Sequence, residues 1–239
     1  MKWLPDNNQY RAACENADLR TFKQDPSYAA IVGNDTRGYN TTKAFYEEVK
    51  HMPYCSDNDI LGNPVLHEID GKKVSCGTLR YMKVKKDLER WKFNSVVEIG
   101  GGYGGQRLAM GEIENYTIVD LEEVNNLILK YLSVSDKILM NTRFIDADTL
   151  CEFESDEIAD DLCISDYALC EFDKELMDFY IEKVVKNCKY GYFTVNMNFE
   201  LLEQKLSKYF SLEIVDEYPK TSKHNNKIYY GERISIQGN

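Results

Sequence analysis

The stretch of the chain best suited to chemistry is Glu98-Ile99-Gly100-Gly101-Gly102-Tyr103-Gly104-Gly105, a carboxylate followed by closely spaced glycines. Glycine lets a backbone turn sharply and come close to a ligand with no Cβ in the way. The apolar run Val96-Val97 leads into it, so the pattern reads as a buried strand opening into a ligand-binding turn. Further on, Tyr116-Thr117-Ile118-Val119-Asp120 reads as a second buried strand ending in an acid, the position where a carboxylate takes the hydroxyls of a ribose. A nucleoside-bearing cofactor follows from the two together. Gly100, Gly102 and Gly105 satisfy G-x-G-x-x-G, while Glu98, Gly100, Gly102 and Gly104 satisfy E-x-G-x-G-x-G, so the spacing leaves the cofactor open.

These residues need a frame that holds strand ends side by side. From Ser95 onward, apolar runs and amphipathic segments alternate in the way that specifies a parallel sheet covered on both faces. Strands are expected over Ser95 to Ile99, Tyr116 to Val119, Arg143 to Ile145, Leu162 to Ser165 and Tyr190 to Val195. Helices are expected over Gly104 to Gly111, Leu121 to Leu132 and Asp173 to Asn187, with Asp173 as N-cap, and a weak turn near 149 to 155. The tail reads as a helix over Phe199 to Tyr209, then two strand-like runs, Leu212 to Glu217 and Ile228 to Ile236, closing one sheet edge as a hairpin-like pair. Upstream, a helix from Ser75 or Thr78, with Leu79, Met82, Val84, Leu88 and Trp91 at helical spacing, delivers the chain to the first strand. Before that, residues 7 to 22 and 41 to 50 look helical, and Pro26, Gly33, Gly38, Pro53, Gly62, Pro64 and Gly71 break the rest into short pieces. The chain therefore divides into a mainly helical N-terminal cap or lid, 1–90, and a cofactor-binding domain, 91–239.

Composition narrows the partners. With 239 residues and 43% hydrophobic content, the chain can bury a sizeable core. A net charge of −11 argues against a surface that tracks phosphates, so no nucleic-acid partner is expected. Seven cysteines with no Cys-x-x-Cys pair suit a reducing compartment better than a disulfide framework or a zinc site. No secretory leader and no apolar run of membrane-spanning length is present, and a soluble cytoplasmic protein is the expectation.

A seven-stranded sheet with one antiparallel strand, an acid at the end of the first strand and a Gly-rich turn resembles the class I S-adenosylmethionine-dependent methyltransferase fold. More narrowly, residues 98–105, Ile118 to Val124, Leu162 to Glu171 and the tail from Pro219 to Gly231 resemble the sugar O-methyltransferases of surface-polysaccharide gene clusters. That family usually reads Ser-Asn-Tyr-Ala in the third of these motifs, where this chain has Ser165-Asp166-Tyr167-Ala168. The resemblance implies transfer of a methyl group from S-adenosylmethionine to a hydroxyl of a sugar, nucleotide-linked or part of a glycan. The implied cofactor set is Glu98 facing the ammonium, Gly100, Gly102 and Gly104 in the turn, Asp120 and Leu121 at the ribose, Asp146 and Ala147 at the adenine, and Ser165. The turn's N–H groups and the helix start after it would receive the carboxylate.

Methyl transfer to oxygen requires alignment and removal of a proton from a weakly nucleophilic hydroxyl. Glu171, between apolar neighbours after the fourth strand, His224 in the loop before the last strand, and Asp166 are the candidate bases. Tyr167, Arg80, Tyr81 and Asn225 are the candidate acceptor contacts. No spacing demands a divalent metal, and whether the chain forms a homo-oligomer is left open. Two other readings stand beside this one. A nicotinamide-dependent sugar epimerase or reductase shares the glycine turn, but such enzymes usually carry it near the N-terminus and pair it with Tyr-x-x-x-Lys. A non-catalytic protein retaining the cofactor fold is the other.

Overall fold

The computed structural model of the chain describes residues 7–32, 37–154, 158, 160–221 and 225–234. Its centre is a seven-stranded sheet, formed by β3 (Ser95–Ile99), β4 (Asn115–Asp120), β5 (Thr142–Asp146), β6 (Leu162–Asp166), β7 (Tyr190–Val195), β8 (Phe210–Asp216) and β9 (Lys227–Arg233). The order is β5-β4-β3-β6-β7-β9-β8; β9 runs antiparallel to both neighbours and the other pairings are parallel. The interior strands are buried on both faces, which is why they read as continuous apolar runs. After β5 the chain returns to the other side of β3 and builds outward through β6. The order thus reverses between β3 and β6, and a crevice opens outside their carboxyl ends, at Gly100 and Asp166.

Alternation along the strands sorts the core into two layers. Val96, Tyr116, Ile118, Ile164 and Tyr192 face helices α4 (Cys76–Leu88), α5 (Gly105–Met110) and α6 (Glu122–Leu132). Val97, Ile99, Val119, Cys163 and Phe193 face α9 (Lys174–Lys183) and α10 (Phe199–Leu206). Capping follows the side chains: Ser75 Oγ accepts from Thr78 N–H at 3.2 Å and starts α4, and Asp173 Oδ1 accepts from Leu176 N–H at 2.7 Å and starts α9. Two short helices not anticipated from the sequence, α7 (Asp136–Met140) and α8 (Ala168–Glu171), complete the domain.

The N-terminal third is bound into this core. Helices α1 (Asn7–Glu15), α2 (Pro26–Val32) and α3 (Tyr39–Val49) precede a hairpin, β1 (Leu66–Ile69) and β2 (Lys72–Ser75). Tyr10, Cys14, Phe22 and Tyr28 share one hydrophobic cluster with the sheet face that carries Val96 and Ile118. Behind the glycine turn, Asn58 Nδ2 donates to the Gly105 carbonyl at 3.0 Å, and the buried Lys23 ammonium donates to Tyr131 Oη at 3.1 Å. The expectations needing correction are local. The first helix stops at Glu15 and not near 22, and the segment expected over Asp173 to Asn187 is an α-helix only to Lys183, followed by a 3₁₀ turn at Val185–Asn187. The broken stretch around Gly71 contains a hairpin: Asp70 and Gly71 both take positive φ, 51° and 73°, as a tight two-residue turn requires.

Candidate active site

The glycine turn leaves β3 at Gly100, whose φ is 82° and where a Cβ would stand 2.4 Å from Ala168 Cβ. Only glycine lets the end of β3 pass under α8. Gly102, at φ 60°, has open space where its Cβ would lie, so the turn presents bare backbone to the crevice. Beside it is a cavity of about 260 Å³ whose walls include Gly100, Leu121, Ala147, Asp148 and the apolar face of Phe172, Phe179 and Tyr180.

Asp120 closes one end of that cavity and is 4% exposed. Its Oδ1 accepts from Leu121 N–H at 2.8 Å, whereas Oδ2 is buried with no hydrogen bond. Burial pushes the carboxyl up to about 7, against the backbone N–H groups of Leu121, Gly101 and Gly102, which favour the ionised form. A buried acceptor with no donor is costly, and Asp120 carries one on a residue of the cavity wall.

The other residues of the expected cofactor set divide. Leu121 and Ala147 lie on the cavity wall. Asp146 accepts from Asp148 N–H at 3.0 Å, closing a turn that puts Ala147 and Asp148 on the wall in its stead. Ser165 Oγ accepts from Leu169 N–H at 3.0 Å and so caps α8. Glu98 points to the opposite face of the sheet, where Tyr116 Oη donates to its Oε2 at 2.8 Å, and burial pushes its carboxyl up to about 8. Arg11 of α1, missed in the sequence because a lone helical arginine carries no signal, bridges Glu123 at 2.6 Å and Asp148 at 2.7 Å. It ties the first helix to the rim of the cavity.

Across the crevice, the end of β6 carries a second polar group. Asp166 Oδ1 accepts from Thr194 Oγ1 at 2.6 Å, and its Oδ2 lies 3.1 Å from the buried Arg80 Nη2. Burial works against the Arg80 cation, but Asp166, with Tyr167 and Glu217 behind it, more than offsets that and raises its pKa. Tyr167 follows at φ 74°, ψ −33°, a conformation costly for an aromatic residue and found where the surroundings impose it. Here the cause is visible. Its ring packs 5.3 Å from the Arg80 guanidinium, and its hydroxyl donates to Glu217 Oε1 at 2.8 Å. Glu217, buried after β8, also accepts from Thr221 N–H and Asn226 Nδ2, both at 3.0 Å, which ties the β8–β9 connection to the end of β6.

Glu171, in α8, is partly buried; burial raises its pKa while Asn196 Nδ2, donating to Oε1 at 3.1 Å, opposes the rise. Tyr81 is a core side chain, packed edge-on against Tyr103 at 5.7 Å. Asn225 is exposed and accepts from Lys220 Nζ at 3.4 Å. His224 lies outside the described residues. Thr194, Glu217, Thr221 and Asn226, which no local pattern marks in the sequence, complete the hydrogen-bonded cluster around Asp166 and Tyr167. Among the described residues, no group of three or more His, Cys, Asp or Glu could hold a metal ion, and no helix is long and apolar enough to cross a membrane.

No protein-family model matches the chain, and no curated protein sequence matches it. Solved structures do. The N-methyltransferase NodS from Bradyrhizobium japonicum WM9, in complex with S-adenosyl-L-homocysteine, superposes with a TM-score of 0.54 at 12% identity, covering 82% of this chain and 100% of that one. The methyltransferase domain of the bacterial CtHen1-CN superposes with a TM-score of 0.53 at 12% identity, covering 64% and 97%. This chain has the methyltransferase fold. In this chain the glycine turn follows β3, an acid ends β4 and β9 runs antiparallel, with Gly100 and Asp166 at the carboxyl ends of β3 and β6.

Proposed function

We propose that the chain is an S-adenosylmethionine-dependent O-methyltransferase whose acceptor is a sugar hydroxyl, nucleotide-linked or in a glycan. The observation that carries the cofactor half is Asp120, a buried carboxylate with one unsatisfied oxygen on the wall of an apolar cavity beside the bare Gly102 backbone. Asp120 would take the ribose hydroxyls, Leu121, Ala147 and Phe179 the adenine faces, and the N–H groups of residues 100–104 the methionine carboxylate. Glu98, protonated by its burial near neutral pH, supports the turn from below, so that facing an ammonium is a lesser part of its role than the sequence suggested. Bound there, S-adenosylmethionine supplies an activated methyl group on a sulfonium.

The acceptor half is proposed to lie over β6 and β7. Glu171, whose pKa burial raises, is suited to take the proton of an acceptor hydroxyl. Asp166, held by Thr194 and Arg80, is better placed to orient a hydroxyl than to leave its partners, and Arg80, Tyr167 and Asn225 are the proposed acceptor contacts. His224 is a second candidate for the base. We take residues 1–90 as the cap that closes the cavity, with Arg11 as its tie, and the cytoplasm as the site of action. The sugar part of the proposal rests on the motif resemblance together with this hydroxyl-suited polar lining. It is tested by supplying methyl-labelled S-adenosylmethionine with a panel of free sugars, nucleotide sugars and small amines. Label on a sugar hydroxyl supports the reading, and label on an amine alone overturns it.

A further inference from the structure

Between Gly100 and Gly105 the glycine turn has one side chain, that of Tyr103. Gly102 and Gly104 flank it, both at positive φ, so the backbone there has little stiffness of its own. The Tyr103 ring is fully buried in the layer that carries α4 and α6, not on the walls of the cavity. It meets Phe22 at 5.5 Å, Tyr81 at 5.7 Å and Tyr131 at 5.0 Å, each edge-on. Into this group of rings the N-terminal third inserts a cation. Lys23, 2% exposed, sets its ammonium 4.6 Å from the centre of the Tyr103 ring and 5.0 Å from that of Tyr131. The ammonium donates to the Asn58 carbonyl and to Tyr131 Oη, and Asn58 Nδ2 donates in turn to the Gly105 carbonyl. Gly62 makes room for the stem: a Cβ there would stand 2.5 Å from Lys23 Cγ.

We propose that Lys23 is a positioning residue for the cofactor: its ammonium, held among the rings, clamps Tyr103 and so sets the N–H groups of residues 100–104 for the methionine carboxylate. The N-terminal third thus acts on the turn from behind. Burying an ammonium is costly, and this fold offsets the cost with ring faces and two oxygen acceptors. For stability alone an apolar side chain would serve as well or better, because a buried charge contributes little net. What the cation adds is direction. The quadrupole of the Tyr103 ring draws it to the ring face, a hold that an aliphatic chain lacks. Donors already fixed in the bound arrangement spare the ligand the cost of ordering a glycine-rich backbone. The inference rests on the cofactor reading above and extends it to a residue that touches no part of the cavity wall.

The experiment compares the full chain with Lys23→Met, which keeps the stem and removes the charge; the Asn58 carbonyl keeps a donor in Tyr131 Oη, 2.7 Å away. Calorimetry reads the affinity for S-adenosylhomocysteine, thermal denaturation reads stability, and amide hydrogen exchange without ligand reads the turn. Lys23→Met should bind S-adenosylhomocysteine at least ~10-fold more weakly, with little change in melting temperature and faster exchange at residues 101–105. Tyr103→Leu removes the ring on which Lys23 acts, so adding Lys23→Met to it should cost no further affinity. Leu206→Val, a destabilising change in the layer on the other face of the sheet, should bind as the parent does and so separates position from stability. Unchanged affinity in Lys23→Met, additive losses in the double variant, or unchanged exchange at the turn overturns the proposal. Should Lys23→Met fail to fold, Tyr131→Phe, which keeps the ring and removes the hydroxyl that receives the ammonium, is read by the same three measurements against the same outcomes. Failure of the parent to bind S-adenosylhomocysteine would remove the cofactor reading itself, and the exchange comparison would still decide whether Lys23 holds the turn.

Discussion

Asp120→Asn separates what the cavity costs the fold from what it gives the ligand. The substitution keeps the shape, and an amide oxygen can still accept from Leu121 N–H, the 2.8 Å bond that now holds Oδ1. It removes the buried charge. The Asp120 carboxyl is raised from 3.8 to about 7, a displacement that corresponds to roughly 4 kcal/mol against the ionised form. At pH 8 the free Asn variant should therefore be as stable as the parent or more so. The ligand sees the opposite. Losing a charge-assisted hydrogen bond from a ribose hydroxyl costs ~1 to 3 kcal/mol, or ~5- to 150-fold in affinity. The pH dependence has a defined sign. Ribose hydroxyls donate to the ionised carboxylate, so binding must expel the proton that Asp120 holds at low pH. Parent affinity for S-adenosylhomocysteine should be flat above pH 7 and fall by up to ~10-fold per pH unit below it, and the Asn variant should lose this slope. Calorimetry from pH 5.5 to 8.5, with thermal denaturation of the free proteins, reads both quantities. A variant that binds as tightly as the parent, or one that loses stability and affinity together, refutes the assignment of Asp120 as the ribose ligand.

Glu171→Gln should lower kcat by about 10² to 10⁴ with S-adenosylhomocysteine affinity nearly intact, since general-base help acts in the transition state; equal kcat values in single-turnover assays would move the base elsewhere. Glu98, raised by burial to about 8, should make the parent lose stability as pH climbs from about 4.5 through 8, because the ionised form is the disfavoured one. Glu98→Gln should flatten part of that decline in denaturant titrations. Glu217→Ala removes the acceptor that the Tyr167 hydroxyl, Thr221 N–H and Asn226 amide share, leaving the first and last only the Thr221 hydroxyl, and should cost ~1 to 3 kcal/mol of stability, with Glu217→Gln recovering part of it. Gly100→Ala, forced to a positive φ with its Cβ 2.4 Å from Ala168 Cβ, should lower stability by ~1 to 3 kcal/mol and weaken the cofactor more than any surface change does.

The parts of the fold legible in the sequence were those where one local pattern decides. Ser95 to Ile99 and Tyr190 to Val195 are short, mostly apolar stretches, and the strands occupy those same bounds. Asp173 announces α9 because a short acid before an amphipathic stretch can do little else. The hairpin at Leu66–Ser75 carried its own signal, the Asp70-Gly71 pair, but the surrounding prolines and glycines drew attention to breakage. The glycine turn and the strand-end acid Asp120 were legible for a similar reason, since both are fixed by backbone and position. The cluster at the end of β6 was legible only in part: Arg80, Asp166 and Tyr167 were picked out singly, Thr194 and Glu217 not at all. Arg80, Asp166, Thr194, Tyr167 and Glu217 come from four separate strands and helices or the links after them, and only folding brings them together. Glu98 shows the limit of a motif: its spacing matches an ammonium-facing acid, yet the alternation of β3 turns it to the far side of the sheet, against Tyr116.

The central claim is the identity of the nucleoside that the crevice takes. Calorimetry on the untreated full chain, with S-adenosylhomocysteine and NAD titrated separately under the same conditions at pH 8, tests it directly. The account predicts one S-adenosylhomocysteine site per chain with a micromolar or tighter Kd, and NAD at least ~100-fold weaker, because the turn offers backbone donors for a single carboxylate beside a strand-end acid. Binding of NAD with no response to S-adenosylhomocysteine would contradict it.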